Sequence, residues 1–192
     1  MRINGGHTLL IRNLSRGFSL FELMLAVAIL SLSLVLAVPS MTTMTERRKM
    51  TSAVERIYGE LQLARSTAVA MSQPIFMNIS SGNDWALGVS NNTLCDPVDN
   101  DPACSIPDVN DANAITHRYT VLDNDDVVVN ADSNQVTFFS QRGTATPVNI
   151  TVTSQGGTGY VVNIVVRPLG QVSICSPDDD PSVYLSSYRT CG

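Results

Sequence analysis

Apolar and polar positions change rhythm along the 192-residue chain. From Phe18 to Val38 the sequence is apolar or small, with Glu22 as its only charge. As a helix rising about 1.5 Å per residue, this run spans roughly 31 Å, the hydrocarbon thickness of a bilayer. After Pro39, residues Met50, Val54, Ile57, Leu61, Ala64, Ala68 and Met71 recur at alternating steps of four and three, which predicts a helix with one apolar stripe. Arg47, Arg48, Lys49, Glu55, Arg56, Glu60 and Arg65 take its other faces, so the stripe is expected to pack on the chain's own sheet rather than in an intermolecular coiled coil. Pro39, which removes a helical hydrogen bond, and Gly59, which costs roughly 1 kcal/mol against alanine, are the soft points, with a bend or local melt expected near Pro39.

Beyond Gln73-Pro74 the period shortens to two. "PIFMNIS", "WALGV", "AITHRYTVL", "DVVVN", "QVTFF", "VNITVT", "YVVNIVV", "QVSIC" and "SVYLSS" read as short strands separated by Gly, Asn, Asp, Ser and Pro. Val148-Asn149-Ile150-Thr151-Val152 alternates as a one-sided antiparallel strand should. The expected architecture is α+β: a long N-terminal helix, its first half membrane-spanning, packed on a small antiparallel β-sandwich or sheet. The expected segments are 1–17, 18–38, 39–73 as an amphipathic continuation of the helix, and a β-rich domain over 74–192.

Charge and cysteines place these pieces on two sides of a membrane. Arg2, Arg12 and Arg16 precede the apolar run, which predicts a cytoplasmic N-terminus. From Pro74 onward thirteen Asp face four Arg and no Lys, a net charge near −9 that makes a poor surface for phosphate backbones, so nucleic acid is not an expected partner. Cys95, Cys104, Cys175 and Cys191 lie in this acidic part without the two-residue spacing of zinc or redox sites, and they read as disulfides formed outside the cytosol. Three pairings are possible; proximity favours Cys95 with Cys104 and Cys175 with Cys191.

An acid in an apolar run is costly, on the order of 3 kcal/mol at mid-bilayer, and so points to function; the alternative is that Glu22 stays wet at the cytoplasmic interface. Gly17-Phe18-Ser19-Leu20-Phe21-Glu22, followed by an apolar helix, resembles the class III leader of type IV pilins and type II secretion pseudopilins. The resemblance implies that prepilin peptidase removes residues 1–17 by cutting after Gly17 and methylates the new N-terminus at Phe18. It further implies that Glu22 pairs with the N-terminal amine of a neighbouring subunit as helices leave the membrane for a fibre. A buried carboxylate is tolerable only with such a partner.

The order of further pieces, "LQLARSTAV" at 61–69, the strand at Trp85, "FFSQRGT" at 138–144 and "VVRPLGQVSIC" at 165–175, is similar to the GspH/FimT subgroup of minor pilins and pseudopilins. That resemblance implies the pilin fold and a non-enzymatic structural subunit that joins or primes a type IV pilus or type II secretion pseudopilus. The implied partners are other minor and major pilins or pseudopilins, prepilin peptidase, an inner-membrane assembly platform, and membrane lipid before assembly. The implied location is the bacterial inner membrane, single-pass with the C-terminal domain periplasmic, and then the fibre. Some FimT-like members take up DNA through arginines after the glycine equivalent to Gly170; here Gln171-Val172-Ser173 follow instead.

Other chemistries find little support. His117 is the single histidine beyond the leader, within a strand run, and forms no catalytic constellation. "SQGGTGY" at 154–160 lacks the lysine and helix of a phosphate loop and reads as a hairpin turn. No cofactor is expected. The Asp-rich stretch 95–113 offers oxygens to calcium but lacks the EF-hand order, and with "DNDD" at 123–126 and "PDDDP" at 177–181 it reads as an acidic loop. Two alternatives remain: a bitopic inner-membrane protein whose periplasmic β-domain binds a ligand without polymerising, and a soluble exported protein cut after Ala37, since Val35-Leu36-Ala37 resembles a signal cleavage site.

Overall fold

The computed structural model describes residues 19–99, 101–107, 114–120, 126–177 and 182–191, with side chains given for all of these except 35–40, 107, 114 and 118–120. The expected processing residues Gly17 and Phe18 lie outside the described residues. The chain divides into two compact units, 1–40 and 41–192.

One helix, α1, runs Leu20–Met71. Its first bond is donated by the Leu23 N–H to the Ser19 carbonyl at 3.1 Å, and Glu22 occupies the first turn, where the helix dipole favours an anion. It ends where Ser72 turns to φ +53° and Pro74 follows, a residue that cannot continue the helix. The backbone is helical through both Pro39 and Gly59. At Pro39 the backbone is helical, so of the expected bend or local melt the melt is corrected.

Within unit 41–192 the helix contributes the predicted stripe. Met50, Val54, Ile57, Leu61, Ala64 and Ala68 are completely buried, and Met71 packs against the same core. Burial of each large member supplies about 1.5–3 kcal/mol.

The stripe meets two antiparallel four-stranded sheets. The first has the order β5(Arg118–Thr120), β2(Ala86–Ser90), β1(Ile75–Ser80), β7(Gln135–Phe138); the second has the order β10(Val172–Cys175), β9(Val161–Val166), β8(Val148–Ser154), β6(Val127–Ala131). A small pair, β3(Ser105–Pro107) with β4(Ala114–Thr116), stands beside them. Ile75, Met77 and Ile79 of β1, Val136 and Phe138 of β7, Ile150 and Val152 of β8, and Val162, Ile164 and Val166 of β9 turn inward together with the helix stripe to make one core. The period of two along each strand is what puts these residues on one face.

Strand β2 departs from that rule, being buried on both faces. Its outer side carries the 95–104 loop. A Cβ on Gly88 would collide with the sulfurs of Cys95 and Cys104, and Ser90 Oγ donates to the Ala103 carbonyl at 2.5 Å. Only glycine admits the disulfide at that point.

Two predicted strands and one predicted loop are corrected. The predicted strand 114–122, whose last two positions lie outside the described residues, is divided at His117 into β4 and β5: the His117 N–H donates to the Cys104 carbonyl at 3.2 Å, and its own carbonyl accepts the Val89 N–H at 2.9 Å, so the two halves pair with different strands. Within the stretch taken as a loop at 95–113, Ser105–Pro107 forms β3. The run 182–187 is turns rather than a strand, touching β9 by a single bridge, Val161 with Tyr184, because Ser176 Oγ accepts the Leu185 N–H at 3.0 Å and the segment is drawn into the Cys175–Cys191 loop.

Candidate assembly surface

In the N-terminal unit, the described side chains from Leu20 to Leu34 present exposed apolar surface on every side of α1, Leu20 at 76% and Phe21 at 74% being the most open near Glu22. The serines in this stretch are satisfied inside the helix: Ser31 Oγ donates to the Ala28 carbonyl and Ser33 Oγ to the Ile29 carbonyl, both at 2.8 Å. Among the side chains described from Leu20 to Leu34, this leaves exposed Glu22 as the charge for which an apolar environment would require a partner. A contiguous apolar surface of this extent marks an interaction with lipid or protein.

Among the described residues no helix is long and apolar enough to cross a membrane. The part of the expected span whose side chains are described, 19–34, extends only roughly 24 Å at the helical rise. The rest of 18–38 lies outside them.

In the second unit, the helix is locked to the β8–β9 hairpin by a carboxylate that the sequence reading did not single out. Glu46 Oε1 accepts the Ser154 hydroxyl at 2.5 Å and the Gly159 N–H at 3.2 Å, while Oε2 accepts the Thr158 N–H at 3.4 Å. Ser154 Oγ in turn accepts the Tyr160 N–H at 2.8 Å. The glycine-rich turn 154–160 is thus a hairpin that receives an anion, but the anion is the protein's own helix. Gly156 lies so near the Glu46 carboxylate that a Cβ would strike it, and Gly159 holds φ +65°. The next residue completes the lock: Arg47 Nε donates to Tyr160 Oη at 2.8 Å, with its guanidinium 5.3 Å from the ring centre. Lys49 pairs with Asp126 at 3.1 Å on the same side. The available sequence signal was an acid four residues before the first stripe residue, Met50, and a turn with more glycines than a hairpin needs.

Three of the four stretches that carried the GspH/FimT resemblance, 61–69, 138–144 and 165–175, converge. Arg65 of α1 reaches Gly143 and Gly170, its Nε within 3.2 and 3.1 Å of where their Cβ atoms would stand. Gly143 and Gly170 have φ of +61° and +72°, and a Cβ on Gly170 would overlap the Gly143 carbonyl oxygen. The Ala145 N–H bonds the Pro168 carbonyl at 3.0 Å alongside. Only glycine fits both the dihedral and the gap.

Both disulfides form the pairs favoured by proximity, Cys95–Cys104 and Cys175–Cys191. In the first loop Asp101 accepts the Ala103 and Asp96 N–H groups, and Asp96 accepts that of Val98, so these carboxylates brace the loop. Among the described residues no three His, Cys, Asp or Glu side chains are placed to hold a metal; 100 and 108–113 of this stretch lie outside them, as do 123–125 and 178–181. The half-buried His117 contributes its backbone as the pivot between β4 and β5. At the other end, burial together with the Glu55 carboxylate pushes the Tyr188 hydroxyl up to about 12.

Comparison with known proteins bears on this geometry. A family model described as Type II transport protein GspH matches residues 53–170, and one described as the prokaryotic N-terminal methylation motif matches residues 12–38. Among solved structures, the type IV minor pilin FimU of Pseudomonas aeruginosa (strain PAO1) aligns in one crystal form with 19% identity, covering 72% of this chain and 93% of that one, at a TM-score of 0.48. A second crystal form of the same protein gives 19% identity, 69% and 93% coverage, and a TM-score of 0.45. No curated protein matches.

Proposed function

The chain belongs to the GspH family and carries the prokaryotic N-terminal methylation motif, and from that premise we propose how it anchors and assembles. It is a minor pilin or pseudopilin, a structural subunit of pilus or secretion-fibre assembly. In our reading, prepilin peptidase removes residues 1–17 after Gly17 and methylates Phe18. Residues 18–38 hold the subunit in the inner membrane with its N-terminus cytoplasmic and unit 41–192 periplasmic.

The observation that carries this reading is the pairing of the methylation motif with an apolar helical surface that ends on one acid. In lipid, Glu22 at the first turn sits toward the interface and stays hydrated. On transfer into a bundle of like helices it loses water, and desolvation costs several kcal/mol unless a cation meets it. The α-amine at Phe18 of an adjacent subunit supplies that cation and fixes the axial register, since a shift of one turn, about 5.4 Å, separates the pair. Other pilins or pseudopilins are therefore the partners at this surface, delivered by the assembly platform. Pro39 and Gly59 are where the helix yields as it packs.

The test is Glu22→Leu in the native host. Membrane insertion is expected to persist, because the substitution only adds apolar surface, while incorporation into fibres is lost. Undiminished incorporation would contradict the register role.

A further inference from the structure

From Pro74 onward the chain has four arginines, yet two of them gather with Arg65 of the helix at one cleft. Arg65 comes from α1, Arg167 from the β9–β10 turn and Arg189 from the C-terminal stretch; with Gln62, Gln171 and Ser173 they line a cavity of about 280 Å³. Arg167, Ser173 and Arg189 also line an adjoining hollow of about 470 Å³ that reaches the Cys175–Cys191 disulfide. The cleft lining contains no acid, and among the described residues none of the three arginines forms an ion pair. By contrast, the cations facing the β8–β9 hairpin, Arg47 and Lys49, are both engaged.

Three unpaired guanidiniums held close together repel one another, and an anion among them relieves that repulsion. We propose that this cleft receives an acidic loop of a neighbouring fibre subunit, its carboxylates taken in forked hydrogen bonds by Arg167 and Arg189 with Arg65 behind them. Two features favour carboxylates over a nucleic-acid backbone. The cleft, about 280 Å³, is of a size for a few side chains. The chain from Pro74 onward is net negative as a whole, which disfavours an extended polyanion more than a short loop. The identity of the partner rests on the fibre-subunit reading above; the chemistry of the cleft does not.

The test is calorimetric titration of the full-length chain, in non-ionic detergent micelles, with an octaglutamate peptide at 50 and 300 mM salt. Saturable binding that weakens with salt is expected, reduced at least tenfold in R167Q/R189Q and within twofold of the parent in R142Q, which alters an exposed arginine outside the cleft. Where the double variant lowers the melting temperature, R189Q alone, at an exposed position, is expected to weaken binding at least threefold. Equal binding by the cleft variants, equal loss in R142Q, or tighter binding of an eight-nucleotide single strand would overturn the proposal. Because no fibre forms in the titration, its failure leaves the assembly reading standing, and failure of the Glu22→Leu test leaves the titration standing.

Discussion

Gly170 lies backbone against backbone on Gly143, with no room between them for a single methyl group. Gly143 belongs to the connection between β7 and β8 and Gly170 to the turn between β9 and β10, and Arg65 of the helix closes over both, so the contact ties helix and sheets at one point.

Gly170→Ala therefore adds a clash to a strained dihedral. The expected cost is at least about 2 kcal/mol, or roughly 4–8 °C in melting temperature. Thermal unfolding of the variant measures it, and an unchanged midpoint would show that the connection relaxes freely.

Gly59 presents the opposite case. A Cβ there would meet nothing within 4 Å and the residue is helical, so Gly59→Ala is expected to stabilise the protein by about 1 kcal/mol. If helix yielding at this point serves assembly, the same variant incorporates into fibres less well despite its higher melting temperature.

Glu46→Ala removes the acceptor for one hydroxyl and two backbone N–H groups. Charge-assisted bonds of this kind contribute about 1.5–3 kcal/mol. Hydrogen exchange at Thr158, Gly159 and Tyr160 is expected to accelerate while the β1 amides stay protected, which distinguishes a released hairpin from general destabilisation.

How much of this was legible beforehand depended on whether a feature is local. The helix stripe from Met50 to Met71 and the inward residues of β8 and β9 follow from periodicity, and the disulfides from short separations. Glu46 was invisible because its partners lie more than a hundred positions away in a turn whose own residues look merely flexible. His117 bends a run that reads as one strand because its carbonyl and N–H are claimed by β2 and the disulfide loop, a competition no local pattern encodes. The turns at 182–187 have strand composition, but Ser176 and Cys191 claim that stretch first. Residues 61–69, 138–144 and 165–175 could be matched to a family without revealing that their glycines touch.

Cleaving both disulfides is expected to lower stability by about 2–3 kcal/mol each, since each closes a loop of modest length. Unfolding with and without reductant, together with paired Cys→Ser variants, separates the two contributions. An unchanged melting temperature on reduction would contradict the stabilising role.

Tyr188 gives the stability an alkaline limit. Its hydroxyl keeps its proton in the folded chain up to about 12, whereas the unfolded chain releases it from about 10. The folded state thus binds more protons in that window, and its stability, fully present below pH 10, falls as pH rises toward 12. Tyr188→Phe is expected to flatten this fall in chemical unfolding followed from pH 8 to 11.5.

The central claim is that this chain works as a processed, membrane-delivered fibre subunit, and the intact mass of the protein isolated from its native membranes tests it most directly. A polypeptide beginning at Phe18 and carrying one added methyl group is the predicted result. A chain that retains residues 1–17, or one that begins after Ala37, would contradict it.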